Sequence, residues 1–124
     1  MESRELAIRL ARALDAKKAL NVHILAVEDL TTVTEYFVIA TGTSTTHAGA
    51  LADEAEFQLG RQGVNVLRTE GHDGKRWVLL DYGSVIVRVF TQEAHDYYDL
   101  EHLWADATPE PASEWLEEKT ETAE

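Results

Sequence analysis

Three side chains able to bind metal ions stand close together near the C-terminal end of the sequence. His95, Asp99 and His102 follow one another at intervals of four and three residues, which would place them on one face of a helix. Such spacing is common in charged surface helices, and the sequence offers no fourth ligand or general base beside them. We therefore interpret these residues as solvated and expect neither a metal ion nor any other cofactor.

Phosphate binding is the second chemistry that the residue types allow. Gly42-Thr43-Ser44 lies between an apolar run and a helical pattern, where backbone amides at a helix N-terminus could bind phosphate. The chain has neither a GxGxxG nor a Gly-Lys-Ser/Thr motif. A tight turn followed by a helix N-cap is therefore the favoured interpretation.

Nucleotidyl transfer would need carboxylates close enough to hold two metal ions, such as an Asp-x-Asp or Asp-x-Glu pair on a strand. No such pair occurs in residues 64–70 or 76–90, and Ser84 lacks the GxSxG frame of a hydrolase nucleophile. We expect no catalytic residue and no enzyme activity. A small nucleotidyltransferase-like or phosphate-binding enzyme stays open as the alternative function.

A hairpin is predicted in residues 76–90, RWVLLDYGSVIVRVF. β-Branched and aromatic residues run up to Tyr82-Gly83 and then resume, which favours these two residues as the loop and pairs Asp81 with Ser84. Side chains alternate between the two faces of each strand. In this register the core face carries Val78, Leu80, Val85, Val87 and Val89.

The second face of the hairpin is mixed in character and is the best candidate for a binding surface. The register places Trp77 directly opposite Arg88, where the two could form a cation–π contact. Trp, Tyr and Arg are the residue types enriched in binding hot spots. We therefore predict a partner interface at Trp77, Tyr82, Arg88 and Trp104, bordered by Asp81 and Glu101.

The elements around the hairpin predict an α/β fold in which helices pack on a mixed sheet. Helical spacing in residues 4–18, and again between Ser44 and Gly60, indicates two amphipathic helices with Ser3 and Ser44 as N-caps. Further strands are predicted at residues 23–28, 36–40 and 64–70, and one or two helical turns at residues 93–104. The run 36–40 is apolar throughout, which indicates a central strand buried on both faces.

Charge and composition restrict the partners. The 124 residues contain no cysteine and carry a net charge of −12, shared equally between residues 1–104 and residues 105–124. This balance disfavours binding to nucleic acid and favours a basic protein. The N-terminal sequence lacks the apolar run of a signal peptide or membrane span, so we expect a cytoplasmic protein without membrane contact.

The C-terminal segment differs in composition from the rest. Residues 108–124 hold both prolines and dense acid, which predicts a mobile and dispensable tail after a single domain at 1–107. Trp115 and Leu116 are the exception, since this apolar pair could dock on the domain. An uncovered apolar hairpin face could also bury itself in a homodimer.

Three motifs, in this order and spacing, resemble the ribosomal silencing factor family, also called Iojap-like: VTEYFVIATGTSTTHAGALADEAE, EGHDGKRWVLLDYGSVIVRVF and YYDLEHLWADA. The similarity extends from about Leu6 to Ala107. It implies a mixed sheet flanked by helices, similar to a nucleotidyltransferase core without the catalytic carboxylates. It also implies a protein that binds the large ribosomal subunit through its L-fourteen protein, blocks joining of the small subunit sterically, and lowers translation when nutrients are scarce.

The resemblance also assigns residues to the partner contact. The matching positions are Trp77, Asp81, Tyr82 and Gly83 in the hairpin, and Tyr98, Leu100, Glu101, Leu103 and Trp104 in the last motif. Three positions depart from the family pattern. Ser84 and Glu35 each stand where members usually have Asp, and Arg88 stands where they usually have His.

Overall fold

Two helices pack on one face of a mixed sheet in the computed structural model, which describes residues 2–28, 32–71, 77–94 and 108–109. The elements are α1 (Ser3–Ala16), β1 (Leu20–Ala26), β2 (Tyr36–Gly42), α2 (Thr45–Arg61), β3 (Arg68–Glu70), β4 (Trp77–Asp81), β5 (Val85–Thr91) and β6 (Thr108–Pro109). The strand order within these residues is β3-β4-β5-β2-β1-β6. Strands β2 and β5 run parallel, and the other neighbours are antiparallel. The predicted mixed sheet with helices packed on it is confirmed.

Strand β2 lies inside the sheet, between β5 and β1, as its continuous apolar sequence predicts. Val38 pairs with Val87 of β5, and both side chains are fully buried against the helices. Ile39 points to the opposite face and is also buried. The strand therefore contributes to the core on both sides of the sheet.

The helices cover one sheet face with stripes of apolar residues at helical spacing. The stripes consist of Leu6, Leu10 and Leu14 in α1, and Ala48, Leu51, Ala52, Ala55 and Leu59 in α2. Ser44 caps α2 as predicted, because its hydroxyl accepts a hydrogen bond from the His47 amide at 3.1 Å. The predicted cap of α1 is wrong, since Glu2 holds the N-cap position and the Ser3 hydroxyl donates to Glu35 Oε2 instead.

The turn from β2 into α2 requires the glycine that precedes it. A Cβ atom on Gly42 would lie 2.8 Å from the amide nitrogen of Ala48, which is closer than Cβ atoms approach backbone in proteins. The imidazole of His47 then joins this turn to the end of α1. Its Nδ1 accepts from the Thr43 amide at 2.9 Å, which leaves Nε2 to donate to the Lys17 carbonyl oxygen at 2.9 Å.

The β4–β5 hairpin has the predicted faces but a different register. Asp81 pairs with Ile86 rather than Ser84, and the amide of Tyr82 donates to the Val85 carbonyl oxygen at 2.9 Å. The two-residue loop is therefore Gly83-Ser84, which places Gly83 at a left-handed φ of 88° in the first loop position. Moving the loop by one residue shifts the pairing by two, and a shift of two leaves the side chains of β4 and β5 on their predicted faces.

Several element boundaries differ from those predicted. Strand β1 begins three residues earlier than the predicted 23–28, and β3 occupies only the last three residues of the predicted 64–70. Residues 92–94 are helical, and the remainder of the predicted helical stretch 93–104 lies outside the described residues. The described part of the chain contains no helix long and apolar enough to cross a membrane.

The sheet extends into the segment predicted to be a tail. Thr108 and Pro109 pair with Ala26 and Leu25 of β1 and form the outermost strand of the described sheet. The prolines suggested a tail because proline breaks central strands, but an edge strand tolerates a residue that lacks an amide proton. The predicted boundary after Ala107 therefore excludes two residues that belong to the sheet.

Candidate functional site

The face of the sheet opposite α1 and α2, called the distal face below, has a buried part and a half-exposed part. The buried part is formed by Leu25, Val27, Ile39, Phe90 and Ala94. The half-exposed part lies on β4 and β5 and is called the β4–β5 patch. It consists of Trp77, Leu79, Asp81 and Arg88.

Alternation along the two strands brings these four side chains to one face. Trp77 pairs with Phe90, and Leu79 pairs with Arg88. Trp77 is thus a diagonal rather than a direct neighbour of Arg88, and the predicted direct pair is wrong. The Arg88 guanidinium lies instead over the ring of Phe90, two residues along the same strand, at 5.3 Å from its centroid.

A glycine directly after β3 allows Trp77 to approach closely. Gly71 has a left-handed φ of 77°, and a Cβ atom there would collide with the Trp77 carbonyl oxygen and lie 3.0 Å from the indole ring. The indole also packs against the buried part of the distal face, while part of it stays exposed. This combination of a fixed ring and an accessible edge is typical of an aromatic anchor at a protein interface.

Asp81 carries the negative charge of the β4–β5 patch, and both of its oxygens have partners. Its Oδ1 accepts from the Gly83 amide at 2.8 Å, which fixes the carboxylate beside the hairpin loop. Its Oδ2 lies 4.0 Å from Nη2 of Arg68, the residue opposite it on β3. Arg68 did not emerge as a site residue from the sequence, because the pairing of β3 cannot be read from so short a strand.

Tyr82 lies on the other side of the sheet from the β4–β5 patch. Because Tyr82 pairs with Val85 instead of sitting in the loop, its side chain follows Leu80 toward the helices. It is only 8% exposed, and burial, with a further contribution from the Glu56 carboxylate, raises the pKa of its phenol to about 12. The structure therefore does not bring Tyr82 together with Trp77, Asp81 and Arg88, contrary to the predicted interface.

Leu79 also belongs to the β4–β5 patch, with part of its side chain exposed. Its half-exposed state follows from its place on β4, between the edge strand β3 and Arg88 on β5. Strand alternation gave its face correctly. Its exposure depends on which helices cover that face, which alternation does not reveal.

The remaining predicted site residues lie outside the described part of the chain. They are Tyr98, Leu100, Glu101, Leu103 and Trp104. The histidines and aspartate weighed as metal ligands, at 95, 99 and 102, lie outside it as well. Within the described ranges no three His, Cys, Asp or Glu side chains stand close enough to hold a metal ion.

Comparison with known proteins identifies the family. The family model described as "Ribosomal silencing factor during starvation" matches residues 1–124. The ribosomal silencing factor RsfS of Bacillus subtilis is 41% identical over 97 residues, which are 78% of this chain and 82% of that protein. A crystal structure of a protein from Chromobacterium violaceum superposes with a TM-score of 0.80 at 35% identity, covering 90% of this chain and 93% of that one.

A more distant relative comes from an animal. The mouse protein named "Mitochondrial assembly of ribosomal large subunit protein 1" is 30% identical over 98 residues, which are 77% of this chain and 43% of that protein. The match of the family model over the full sequence, together with the bacterial relatives, decides the assignment. This chain belongs to the ribosomal silencing factor family.

Proposed function

We propose that this protein binds the large ribosomal subunit through its L-fourteen protein and sterically blocks joining of the small subunit. Translation would thereby fall when nutrients are limiting. The observation that carries the proposal is the β4–β5 patch, where Trp77, Leu79, Asp81 and Arg88 form a half-exposed surface on rigid strands. Such a surface offers an aromatic anchor and fixed charges without any catalytic group.

The charge of the chain supports a basic partner. The net charge of −12 would repel the phosphate backbone of ribosomal RNA, whereas a basic ribosomal protein would be attracted. The printed name of the mouse relative refers to the large ribosomal subunit, which favours that subunit over the small one. Because a steric block needs only occupancy, the mechanism is not enzymatic and takes place in the cytoplasm, where ribosomes are found.

The contact surface in this proposal extends beyond the described strands. The family resemblance adds Tyr98, Leu100, Glu101, Leu103 and Trp104 to the residues that meet the partner. Tyr82 is left out of the direct contact, since its side chain packs in the core on the helix side. Its neighbour Gly83 belongs to the contact only through the backbone of the hairpin loop.

Co-sedimentation tests the proposal directly. We expect the protein to pellet with isolated large subunits and not with small subunits, and to reduce subunit re-association when it is added to large subunits first. Trp77→Ala serves as the weakened variant in both assays, and Gly49→Ala, on the solvent side of α2, serves as the matched control. Equal pelleting with both subunits, or full re-association at saturating protein, would contradict the proposed function.

A further inference from the structure

Arg88 is a half-buried cation surrounded by apolar side chains. Its register partners are Leu79 on β4 and Ile39 on β2, and its guanidinium stacks over Phe90 at 5.3 Å. The Nε atom is buried and has no hydrogen-bond acceptor among the described residues. A charged nitrogen withdrawn from water without an acceptor destabilises the folded protein.

The nearest carboxylate of the β4–β5 patch does not relieve this cost. Asp81 already accepts a hydrogen bond from the Gly83 amide at Oδ1 and forms an ion pair with Arg68 through Oδ2. Burial accordingly lowers the pKa of the Arg88 guanidinium, although an arginine stays protonated at neutral pH. The Phe90 ring meanwhile lies within cation–π distance of the guanidinium, which restricts the position of the side chain before any partner arrives.

We propose that Arg88 binds a carboxylate side chain of the protein that docks on the β4–β5 patch. This inference rests on the proposed function and specifies the partner's chemistry at one position. Because Nε is buried, the partner's carboxylate would meet the terminal Nη groups of the guanidinium, and the apolar neighbours exclude water that would compete for them. Docking would give the guanidinium an acceptor that the described residues do not provide.

A carboxylate fits this position better than an RNA phosphate. Asp81 and Glu70 lie on the same face as Arg88, because their register partners on the adjacent strands are Ile86 and Leu79. Arg68 lies on the same face and forms ion pairs with both acids, so the described charges of this face balance. A phosphate backbone would bring more negative charge than Arg88 can match, whereas a carboxylate brings a single charge. Asp81 is a diagonal neighbour of Arg88, about 7–8 Å away. The matching partner surface therefore presents an acid to Arg88 and a base to Asp81, with about the same separation between them.

The test compares Arg88→Met with the wild-type protein for binding to isolated large subunits and for melting temperature. Met keeps the apolar stem and removes the charged group. We expect binding to weaken by about 10- to 100-fold, as for removal of one member of a desolvated charge pair, while the melting temperature is unchanged or higher. Arg61→Met is the matched control, because Arg61 also stacks on a phenylalanine, Phe57, at 5.7 Å but lies on the exposed side of α2.

A second variant keeps the charge and changes the geometry. Arg88→Lys retains the cation and loses the planar pair of donors, so its affinity should fall between that of the wild type and that of Arg88→Met. The affinities of the wild type, Arg88→Met and Arg88→Lys are then measured for the isolated basic ribosomal protein and for protein-free large-subunit RNA. The loss in Arg88→Met should appear with the protein and not with the RNA.

The outcomes separate this inference from the function on which it rests. If the wild-type chain does not bind large subunits, the proposed function fails and the inference fails with it. If the wild type binds and Arg88→Met binds equally well, only the inference is overturned. A loss confined to RNA would assign Arg88 to phosphate, and a change confined to self-association would assign it to a second copy of the chain; either result overturns the carboxylate.

Discussion

Tyr82 lies between the sheet and α2 with its hydroxyl buried and without a hydrogen-bond partner among the described residues. Trp77, five residues earlier, lies on the distal face with part of its ring exposed. The two aromatic side chains have opposite parity along β4 and its extension into the turn, so one serves the core and the other is available to a partner. Their substitutions should therefore affect different properties.

Replacing Tyr82 by Phe should make the protein less sensitive to alkaline pH. The phenol titrates near 10.0 in an unfolded chain and near 12 in the folded protein, so the folded state holds the proton more tightly. Its contribution to stability is complete below pH 10.0 and declines as the pH rises toward about 12. Unfolding in denaturant at several pH values should show a smaller decline in Tyr82→Phe than in the wild type.

The same variant tests the position of Tyr82 relative to the interface. Because Tyr82→Phe removes a buried hydroxyl without a hydrogen-bond partner in the described ranges, we expect equal or greater stability at neutral pH. Binding to large subunits should be unchanged, since the ring lies on the helix side of the sheet. Weaker binding by a stable Tyr82→Phe protein would return Tyr82 to the interface and contradict the placement described above.

Trp77→Ala should weaken partner binding far more than it weakens the fold. Truncation of an interface anchor costs about 1–4 kcal/mol of binding free energy. Val87→Ala is the matched comparison from the adjacent strand, because Val87 is fully buried on the helix side. It should lower the free energy of unfolding by about 1–3 kcal/mol and leave the affinity of the folded fraction unchanged. Denaturant unfolding and subunit binding of both variants would show a reversed pattern if the faces were misassigned.

At the scale of elements, the connection from β2 to α2 couples the central strand to both helices. Gly42 lets the end of β2 approach the first turn of α2, and His47 links that turn to the Lys17 carbonyl at the end of α1. The sequence singled out Gly42-Thr43-Ser44 as a candidate phosphate loop. The structure supplies a packing reason for its glycine.

Gly42→Ala should therefore destabilise the protein. The added methyl group would lie 2.8 Å from the Ala48 amide nitrogen, and both elements must shift to admit it. Gly49→Ala is the control within the same helix, where a Cβ atom meets nothing within 4 Å. Alanine should increase the free energy of unfolding there by about 0.5–1 kcal/mol, because it favours the helix more than glycine does. Thermal or denaturant unfolding of the two variants should thus move in opposite directions.

The hairpin shows which features of the fold the sequence could predict. The faces of the residues in β4 and β5 were predictable, since strand alternation and the run of valines both require them. The pairing was not, because Tyr82-Gly83 and Gly83-Ser84 are both acceptable two-residue loops around one glycine. With Gly83-Ser84 as the loop, Tyr82 lies in the core, and the cross-strand partner of Arg88 is Leu79 instead of Trp77.

The candidate site was predictable to a similar degree. Trp77, Asp81 and Arg88 were identified from residue type and alternation, and the structure brings them together on one face. The contribution of Arg68 beside Asp81 depends on the pairing of β3, which is three residues long and lacks a distinctive pattern. The burial of Arg88 depends on neighbours from β2, which comes from a distant part of the sequence.

At the scale of the whole molecule, β6 attaches a late segment of the chain to an early one. Thr108 and Pro109 pair with the end of β1, so residues near the start of the predicted tail complete the described sheet. Residues 105–124, which include this pair, carry half of the net charge of the chain. The described sheet therefore includes the first two residues of the segment that the sequence predicts as a tail.

Two truncations locate this boundary. A chain ending at Glu110 keeps β6, and we expect its melting temperature and subunit binding to match those of the full chain. A chain ending at Ala107 loses the backbone pairing with β1, and its melting temperature should fall by roughly 3–8 °C, as for the loss of one or two hydrogen bonds. A similar fall in the melting temperature of the chain ending at Glu110 would show that Trp115 and Leu116 dock on the domain.

The parallel pairing of β2 with β5 also determines the order in which the chain can fold. Residues 36–42 of β2 pair with residues 85–91 of β5, which come more than 40 residues later in the sequence. On its other side, β2 pairs with β1. Long-range parallel pairing forms slowly, because the intervening loop must close before any contact is gained. A nascent chain that has not yet been extended through Thr91 can therefore pair β1 with β2 but lacks the β2–β5 pair at the centre of the sheet. The surface proposed to silence ribosomes takes shape only when most of the chain has already been synthesised by one.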